Sequence, residues 1–196
     1  MDTCRKCRKF GAKLFLKGER CISPKCAFTR RNYQPGSHGN KKMTRRKSEY
    51  GTQLMEKQKA KAEYGLRERQ FSKIFRLASR SKENTGEQFL RLLEMRLDSV
   101  ILRLGWAVSL KQARQSVNHR QFKVNDKVVN IPSTTLQVKD KISPVKKEKI
   151  QPNKVTLPKW LKLDSKNMVA EVLHLPSREE IETDLNEQLI IEFYSR

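Results

Sequence analysis

The apolar residues of this chain change their period once, near residue 109, and that change constrains the fold class more than any other feature. Between Tyr50 and Gly105 they recur at helical spacing. Leu54, Tyr64 and Leu66 come first, then Phe71, Ile74, Phe75 and Ala78, and after Asn84-Thr85-Gly86 the series Phe89, Leu92, Leu93, Leu97, Val100, Ile101 and Leu104. Residues three and four apart share one side of a helix, so the spacing predicts three amphipathic helices between 50 and 105. Ser109 followed by Gln112 fits a capping box and predicts a short helix to about residue 118. Beyond it Phe122, Val124, Val128, Ile131, Leu136, Val138 and Ile142 are separated by polar and turn residues. That is the pattern of short antiparallel strands with one buried face.

Residues 144–158, with lysines and three prolines, read as a surface connection. Trp160, Leu161 and Leu163 resume burial, and residues 168–175 alternate as a strand that Pro176 stops. Residues 180–193 carry Ile181, Leu185, Leu189, Ile190 and Phe193, a helical stripe expected to pack back on the first helices. The chain has no internal repeat.

The first forty residues follow neither period. They are rich in Cys, Gly, Pro and basic residues, and cannot fold on apolar burial alone. Cys4-x2-Cys7 and Cys21-x4-Cys26 lie thirteen residues apart, a spacing at which two pairs can supply four thiolates to one tetrahedral ion. Zinc is the expected occupant, an iron–sulfur cluster the alternative, and two disulfides are disfavoured by a start that has no apolar signal core. Neighbouring Arg5, Lys6, Arg8, Lys9, Arg20 and Lys25 are expected to lower the thiol pKa values.

Charge then narrows the partner. Among 196 residues, 43 Lys and Arg face 21 Asp and Glu, a formal net charge of +22, while apolar residues make up 36%. A polyanion relieves that self-repulsion. No run of about 18 apolar residues appears, so nucleic acid is favoured over membrane and a soluble, cytosolic-type protein is expected. Residues 1–50 hold fifteen basic and three acidic side chains, residues 171–196 two basic and seven acidic. The head suits a phosphate backbone and the tail a basic protein neighbour.

Two stretches concentrate nucleic-acid chemistry. One runs from Arg30 and Arg31 through Tyr33, Pro35, Gly36, His38 and Gly39 to Lys41, Lys42, Arg45, Arg46 and Lys47. Arginine can grip phosphate with two donors, tyrosine can stack on a base, and glycine admits close backbone approach. The other spans residues 109–130, where a helix carrying Lys111, Gln112 and Arg114 leads through His119 and Arg120 into a hairpin turning at Asn125-Asp126-Lys127. No nucleophile with a base, phosphate-cradling glycine loop or spaced carboxylate pair occurs in the basic half, so no enzyme reading arises. Glu179, Glu180, Glu182, Asp184 and Glu187 read as a solvated or protein-facing surface.

These residues resemble the ribosomal protein S4 family over nearly the whole chain. The carriers are LKGERCISPKCA, YQPGSHG, YGTQLMEKQKAKAEYGLRERQF, TGEQFLRLLEMRLDSVILRLGWAVSLKQARQSV, FKVNDKVVNIPS, LPKWLKLD and DLNEQLIIEFYSR. The expected fold is α+β: an N-terminal zinc knuckle, and an all-α domain completed by the C-terminal helix, with a mixed S4-type RNA-binding domain inserted. The expected boundaries are 1–40 for the knuckle and basic loop, 41–90 with 177–196 for the helical domain, and 91–176 for the insert.

The resemblance implies a structural constituent of the small ribosomal subunit, in cytoplasmic or organellar ribosomes. It implies a protein that binds a junction in the 5′ domain of small-subunit rRNA early in assembly, contacts ribosomal proteins S5 and S3, and helps line the channel by which mRNA enters, with a bearing on accuracy. Position by position, it places Arg30, Arg31, Tyr33, Pro35, Gly36, His38 and Gly39 in a loop threading into rRNA, and Arg67, Arg69, Gln70 and Lys73 on a helical contact surface. Arg46 falls at the channel-facing position. Ser109, Gln112, Arg114, His119, Lys123, Asn125 and Lys127 fall where the insert meets RNA, and Glu187, Glu192, Phe193, Tyr194 and Arg196 on the side facing S5. The chain departs from the family with Arg120 at a helix end that calls for a left-handed residue and where many members have glycine, with Asp126 where many have the glycine of an Asn-Gly turn, and with a shorter segment over 146–157.

Two other readings remain. Inserts of this type also occur in pseudouridine synthases and tyrosyl-tRNA synthetases, but those need a catalytic domain for which no residues are left over. A zinc-finger DNA-binding regulator would bind duplex DNA with base-dependent affinity, whereas the ribosomal reading predicts saturable binding to folded rRNA.

Overall fold

The computed structural model describes residues 3–39, 48–150, 152, 153 and 155–196. The chain divides into two compact units, Met1–Phe71 with Asp184–Arg196, and Ser72–Thr183.

The first unit is helical. Helix α1 (Thr3–Phe10) and the short α2 (Glu19–Ile22) and α3 (Ala27–Arg30) form the head, where the sequence shows no periodicity. They gather a small apolar cluster of Cys7, Leu14 and Ala62, with Phe10, Ala12, Leu16 and Phe28 against it. Ala62 belongs to the long helix α4 (Glu49–Glu63), whose first turn is capped by the Ser48 hydroxyl accepting from the Gly51 amide at 3.2 Å. Helix α9 (Glu187–Tyr194) packs along α4. It is shorter than the stripe over 180–193 suggests. Ser177 and Glu180 instead close a capping box on a 3-10 turn (Arg178–Glu180), and α9 starts only where Asn186 caps the Gln188 and Leu189 amides. In helix α5 (Glu68–Ser79), Phe71, Phe75 and Ala78 are buried as their spacing requires.

The second unit contains α6 (Thr85–Glu94), α7 (Leu97–Arg103), α8 (Leu110–Asn118) and a sheet of β1 (Phe122–Val124), β2 (Lys127–Val129), β3 (Lys141–Pro144), β4 (Leu161–Asp164) and β5 (Val169–Val172). The sheet is antiparallel in the order β2-β1-β3-β5-β4, with Val124 opposite Lys127, Val124 opposite Ile142 and Ile142 opposite Ala170. Its buried side and helices α7 and α8 enclose one core that includes Leu97, Ile101, Ala113, Phe122, Leu136, Ile142, Trp160 and Val172. Trp106 stacks on Phe122 at 5.8 Å between ring centroids. Each large side chain removed from water here contributes about 1.5–3 kcal/mol.

Several expectations change. The third helix expected before residue 105 is two helices, α6 and α7, broken at Met95 and Arg96. The break lets the chain pair with residues 132–136: Leu97 donates to the Thr134 carbonyl, Asp98 to that of Pro132, and Leu136 to that of Met95, each through its backbone amide. A helix continuing through Arg96 could not meet that segment. Residues 131–138 accordingly form no ladder strand, and Ile131, Val138 and Val128, expected inward, are exposed. The connection over 144–158 does not only skirt the surface: Ile150 enters the core, and the Asn153 amide donates to the Gly105 carbonyl at 2.8 Å. Among the described residues no helix is long and apolar enough to cross a membrane.

Candidate nucleic-acid interface

In the head, Arg30, Arg31, Tyr33, Gly36 and His38 are exposed, and Pro35 and Gly39 half-buried. The loop that carries them is folded tightly on itself. Gly36 has φ +115°, and the Gly39 amide donates to the Gly36 carbonyl at 3.2 Å. A Cβ on Gly39 would sit 1.7 Å from the Gln34 carbonyl oxygen, so only glycine fits there. The loop is tied to α1 by Arg8, whose Nε donates to the Tyr33 carbonyl at 2.9 Å and whose Nη2 donates to the Gln34 carbonyl at 3.2 Å. The same guanidinium lies 4.7 Å from the centre of the Tyr33 ring. In the sequence Arg8 is one of the cations flanking the cysteines. No local signal could show that it reaches across to Tyr33. Lys41, Lys42, Arg45, Arg46 and Lys47 lie outside the described residues.

Cys7, Cys21 and Cys26 are buried and Cys4 is half-buried, and none of the four is in a disulfide. Backbone N–H groups approach the sulfurs: Lys17 donates to Cys21 Sγ at 3.4 Å. Burial pushes the Cys7 thiol up, with Cys21, Cys4 and Cys26 adding to the rise and a backbone hydrogen bond with Leu14 opposing it. The expected lowering by neighbouring lysines and arginines is therefore reversed at Cys7, where desolvation and crowding by the other thiols decide the direction. Cys26 is lowered, first by a backbone hydrogen bond with Thr29, while Lys13 is the smallest contributor. Among the described residues no group of three or more His, Cys, Asp or Glu is placed to hold a metal ion.

On α5 and just before it, Arg67, Arg69, Gln70 and Lys73 are exposed, as a contact surface requires. Gln70 also has a local role: its Oε1 accepts from the Arg67 amide.

In the second unit, Ser109 caps α8, its hydroxyl accepting from the Gln112 amide. Gln112 does not close the expected box on Ser109. Its Oε1 accepts from the Val108 amide at 2.8 Å, one residue earlier. Lys111, Gln112, His119, Arg120, Asn125 and Lys127 are exposed, and Ser109, Arg114 and Lys123 half-buried. Arg120 ends the helix with φ 57°, the left-handed conformation its place predicted, and its amide donates to the Val117 carbonyl at 2.8 Å. Asn125 and Asp126 turn the hairpin with φ 48° and 65°, as a turn with both central residues left-handed requires.

Two of the expected RNA contacts are also structural. Asn125 Nδ2 donates to Asp140 at 2.7 Å and its Oδ1 accepts from the Lys141 amide at 2.9 Å, clamping the hairpin to β3. Arg114 donates from Nε and Nη2 to Asp98 Oδ2, at 3.1 and 2.7 Å. Asp98 is completely buried and also accepts from Arg96.

The C-terminal residues expected to face another protein make contacts within their own unit. Glu192 accepts from Gln53 at 3.0 Å, Phe193 lies 4.1 Å from Lys57 Nζ, Tyr194 donates to Glu68 at 3.1 Å, and Arg196 pairs with Glu49 at 2.9 Å. Glu187 is half-buried in the first turn of α9. Lys57 and Lys61 both reach Glu68, at 2.9 and 2.6 Å. Burial alone would raise the Glu68 pKa, but these two hydrogen-bonded cations outweigh it and lower the value to about 2.

Against known families, residues 2–94 match the family described as ribosomal protein S4/S9 N-terminal domain and residues 95–142 match the S4 domain. The chain is 50% identical to the small ribosomal subunit protein uS4 of Dictyoglomus turgidum over 200 residues, covering 98% of this chain and 96% of that protein. It is 50% identical to the protein of that name from Heliobacterium modesticaldum over 202 residues, and 49% identical to that from Thermus thermophilus over 202 residues, each alignment covering 98% of this chain and 96% of the relative.

Proposed function

The chain belongs to the uS4 family of small ribosomal subunit proteins, and from that premise we propose that it is a structural constituent of the small subunit, in the cytoplasm, that binds rRNA directly and catalyses nothing. The observation that carries the reading is the exposed basic set on α8 and the β1–β2 hairpin, set on a closed apolar core. Lys111, Gln112, His119, Arg120 and Lys127 can hold phosphates and groove edges in a fixed arrangement, while phosphate contacts of the exposed Arg30 and Arg31 add affinity without reading sequence. The target is a multi-helix junction in the 5′ domain of the rRNA, bound early so that its geometry is pinned for later assembly. Contacts with ribosomal proteins S5 and S3, and with mRNA through Arg46, complete the proposal. The acidic tail suits the first of these, because RNA would repel it.

The cysteines we assign to zinc. What supports this is donor chemistry: four cysteines in two pairs, none in a disulfide, buried or half-buried, with a backbone N–H directed at Cys21 Sγ. Zinc would hold the head folded where the apolar cluster is small. The purified chain should contain one zinc per molecule, lost together with head structure when Cys21 and Cys26 are replaced by serine. Absence of metal would refute the assignment, and a visible charge-transfer band would transfer it to an iron–sulfur cluster.

The function is tested by binding to a transcript of the 5′ domain across a salt series, with an unrelated folded RNA and duplex DNA as competitors. Binding that survives both competitors supports a primary rRNA-binding protein. Equal binding to all three reduces the chain to a basic coat for nucleic acid.

A further inference from the structure

Arg8 is half-buried on the last turn of α1, yet among the described residues it has no carboxylate partner. Two of its donors go to the Tyr33 and Gln34 carbonyls, 25 and 26 residues along the chain. Its guanidinium also lies against the Tyr33 ring, at 4.7 Å from the centroid. A cation spent on neutral carbonyls and an aromatic ring gains geometry more than charge pairing, since the rigid fork of arginine fixes two carbonyls at once. Tyr33 itself remains 37% exposed, in a loop whose shape already depends on Gly36 and Gly39. An exposed ring held still beside Arg30 and Arg31 has the chemistry of a stacking platform, and stacking on an unpaired base tolerates any sequence.

We infer that Arg8 is a positioning residue: it holds the 31–39 loop on α1 so that Tyr33 offers its ring to an unstacked base of the bound RNA. This rests on the rRNA-binding reading and adds to it a residue that works through another, not through phosphate.

The test uses the full chain and the 5′-domain transcript, with Tyr33→Ala, Arg8→Ala, Arg8→Lys and the double variant Arg8→Ala/Tyr33→Ala. Tyr33→Ala should weaken binding about tenfold, within the range for one base–aromatic stack. Arg8→Lys keeps the charge but not the fork, and should lose about as much as Arg8→Ala. The double variant should bind no worse than either single one, because the two substitutions remove one and the same interaction. The salt dependence should stay that of the parent. Wild-type affinity in Arg8→Lys, or a salt slope shallower by about one phosphate contact in Arg8→Ala with losses that multiply in the double variant, would make Arg8 a phosphate ligand and overturn the inference. If Arg8→Ala does not fold, Tyr33→Ala decides, since undiminished binding there removes the platform. A readout free of RNA separates this from failure of the functional reading: amide hydrogen exchange in residues 31–39 should quicken in Arg8→Lys, and unchanged exchange overturns the proposal whatever the parent chain binds.

Discussion

Replacing Asp98 with asparagine removes one charge and changes almost no volume, and the structure sets what that costs. Oδ1 accepts from Arg96 Nε at 3.1 Å and from the Ser99 amide at 3.1 Å; Oδ2 accepts from Arg96 Nη2 at 2.9 Å and from Arg114 Nε and Nη2 at 3.1 and 2.7 Å. An asparagine amide placed at Oδ2 would confront three donors with a fourth; flipped, it would confront two, and in both orientations the two guanidiniums lose their shared counter-charge. Breaking a buried ion pair by removing one partner costs about 3–5 kcal/mol. The Arg114 side chain is 31% exposed and can recover some hydration, so the lower end, about 3 kcal/mol, applies. Both tryptophans of the chain, Trp106 and Trp160, are in the core of this unit, so urea unfolding followed by tryptophan fluorescence reports on it directly. At a slope of about 2 kcal/mol per molar urea, the midpoint should fall by about 1.5 M with the slope unchanged. A loss below about 1 kcal/mol would refute the reasoning, because it would mean that Asp98 contributes no more than an ordinary neutral hydrogen-bond acceptor.

Three further outcomes follow from the same geometry. Glu68, held at about 2 instead of its usual 4.5, contributes stability that is complete above 4.5 and lost as pH falls through about 2; because its side chain is 48% exposed, the contribution is about 1 kcal/mol. Glu68→Gln should therefore melt earlier than the parent at pH 7, with the difference closing near pH 2, as followed by circular dichroism. Gly105→Ala should cost about 2 kcal/mol in the urea assay, since Gly105 has φ +72° and a Cβ would stand 2.6 Å from the Asn153 carbonyl oxygen. Arg120→Gly should stabilise the second unit by about 1 kcal/mol by relieving a left-handed arginine, while making the salt dependence of rRNA binding shallower by about one phosphate contact.

Much of the fold was legible because hydrophobic period is a local property. The stripe Phe71, Phe75, Ala78 and the alternation at Phe122 and Val124 each say which side of an element meets the core, whatever that core proves to be. The hairpin at Asn125-Asp126 and the left-handed end at Arg120 were legible for the same reason, since steric preferences act within a few residues. The exposure of Arg30, Arg31, Arg67, Arg69, Lys111 and Lys127 follows from the cost of burying a charge.

What the sequence by itself determined, then, is the succession of helices and strands, the basic head and acidic tail, and the family to which those patterns belong. The tertiary structure alone decided which partners the polar groups take. Helix α7 starts at Leu97 because residues 132–136 pair with the chain there, and no period in 89–104 records that demand. Arg114 and Asn125, indistinguishable in sequence from other surface polar residues, are bound to Asp98 and Asp140. Arg8, one cation among many, reaches the loop of Tyr33. A buried or half-buried polar group must be satisfied by whatever donor or acceptor the fold brings near it, and that neighbour comes from a segment whose distance along the chain leaves no mark on either sequence.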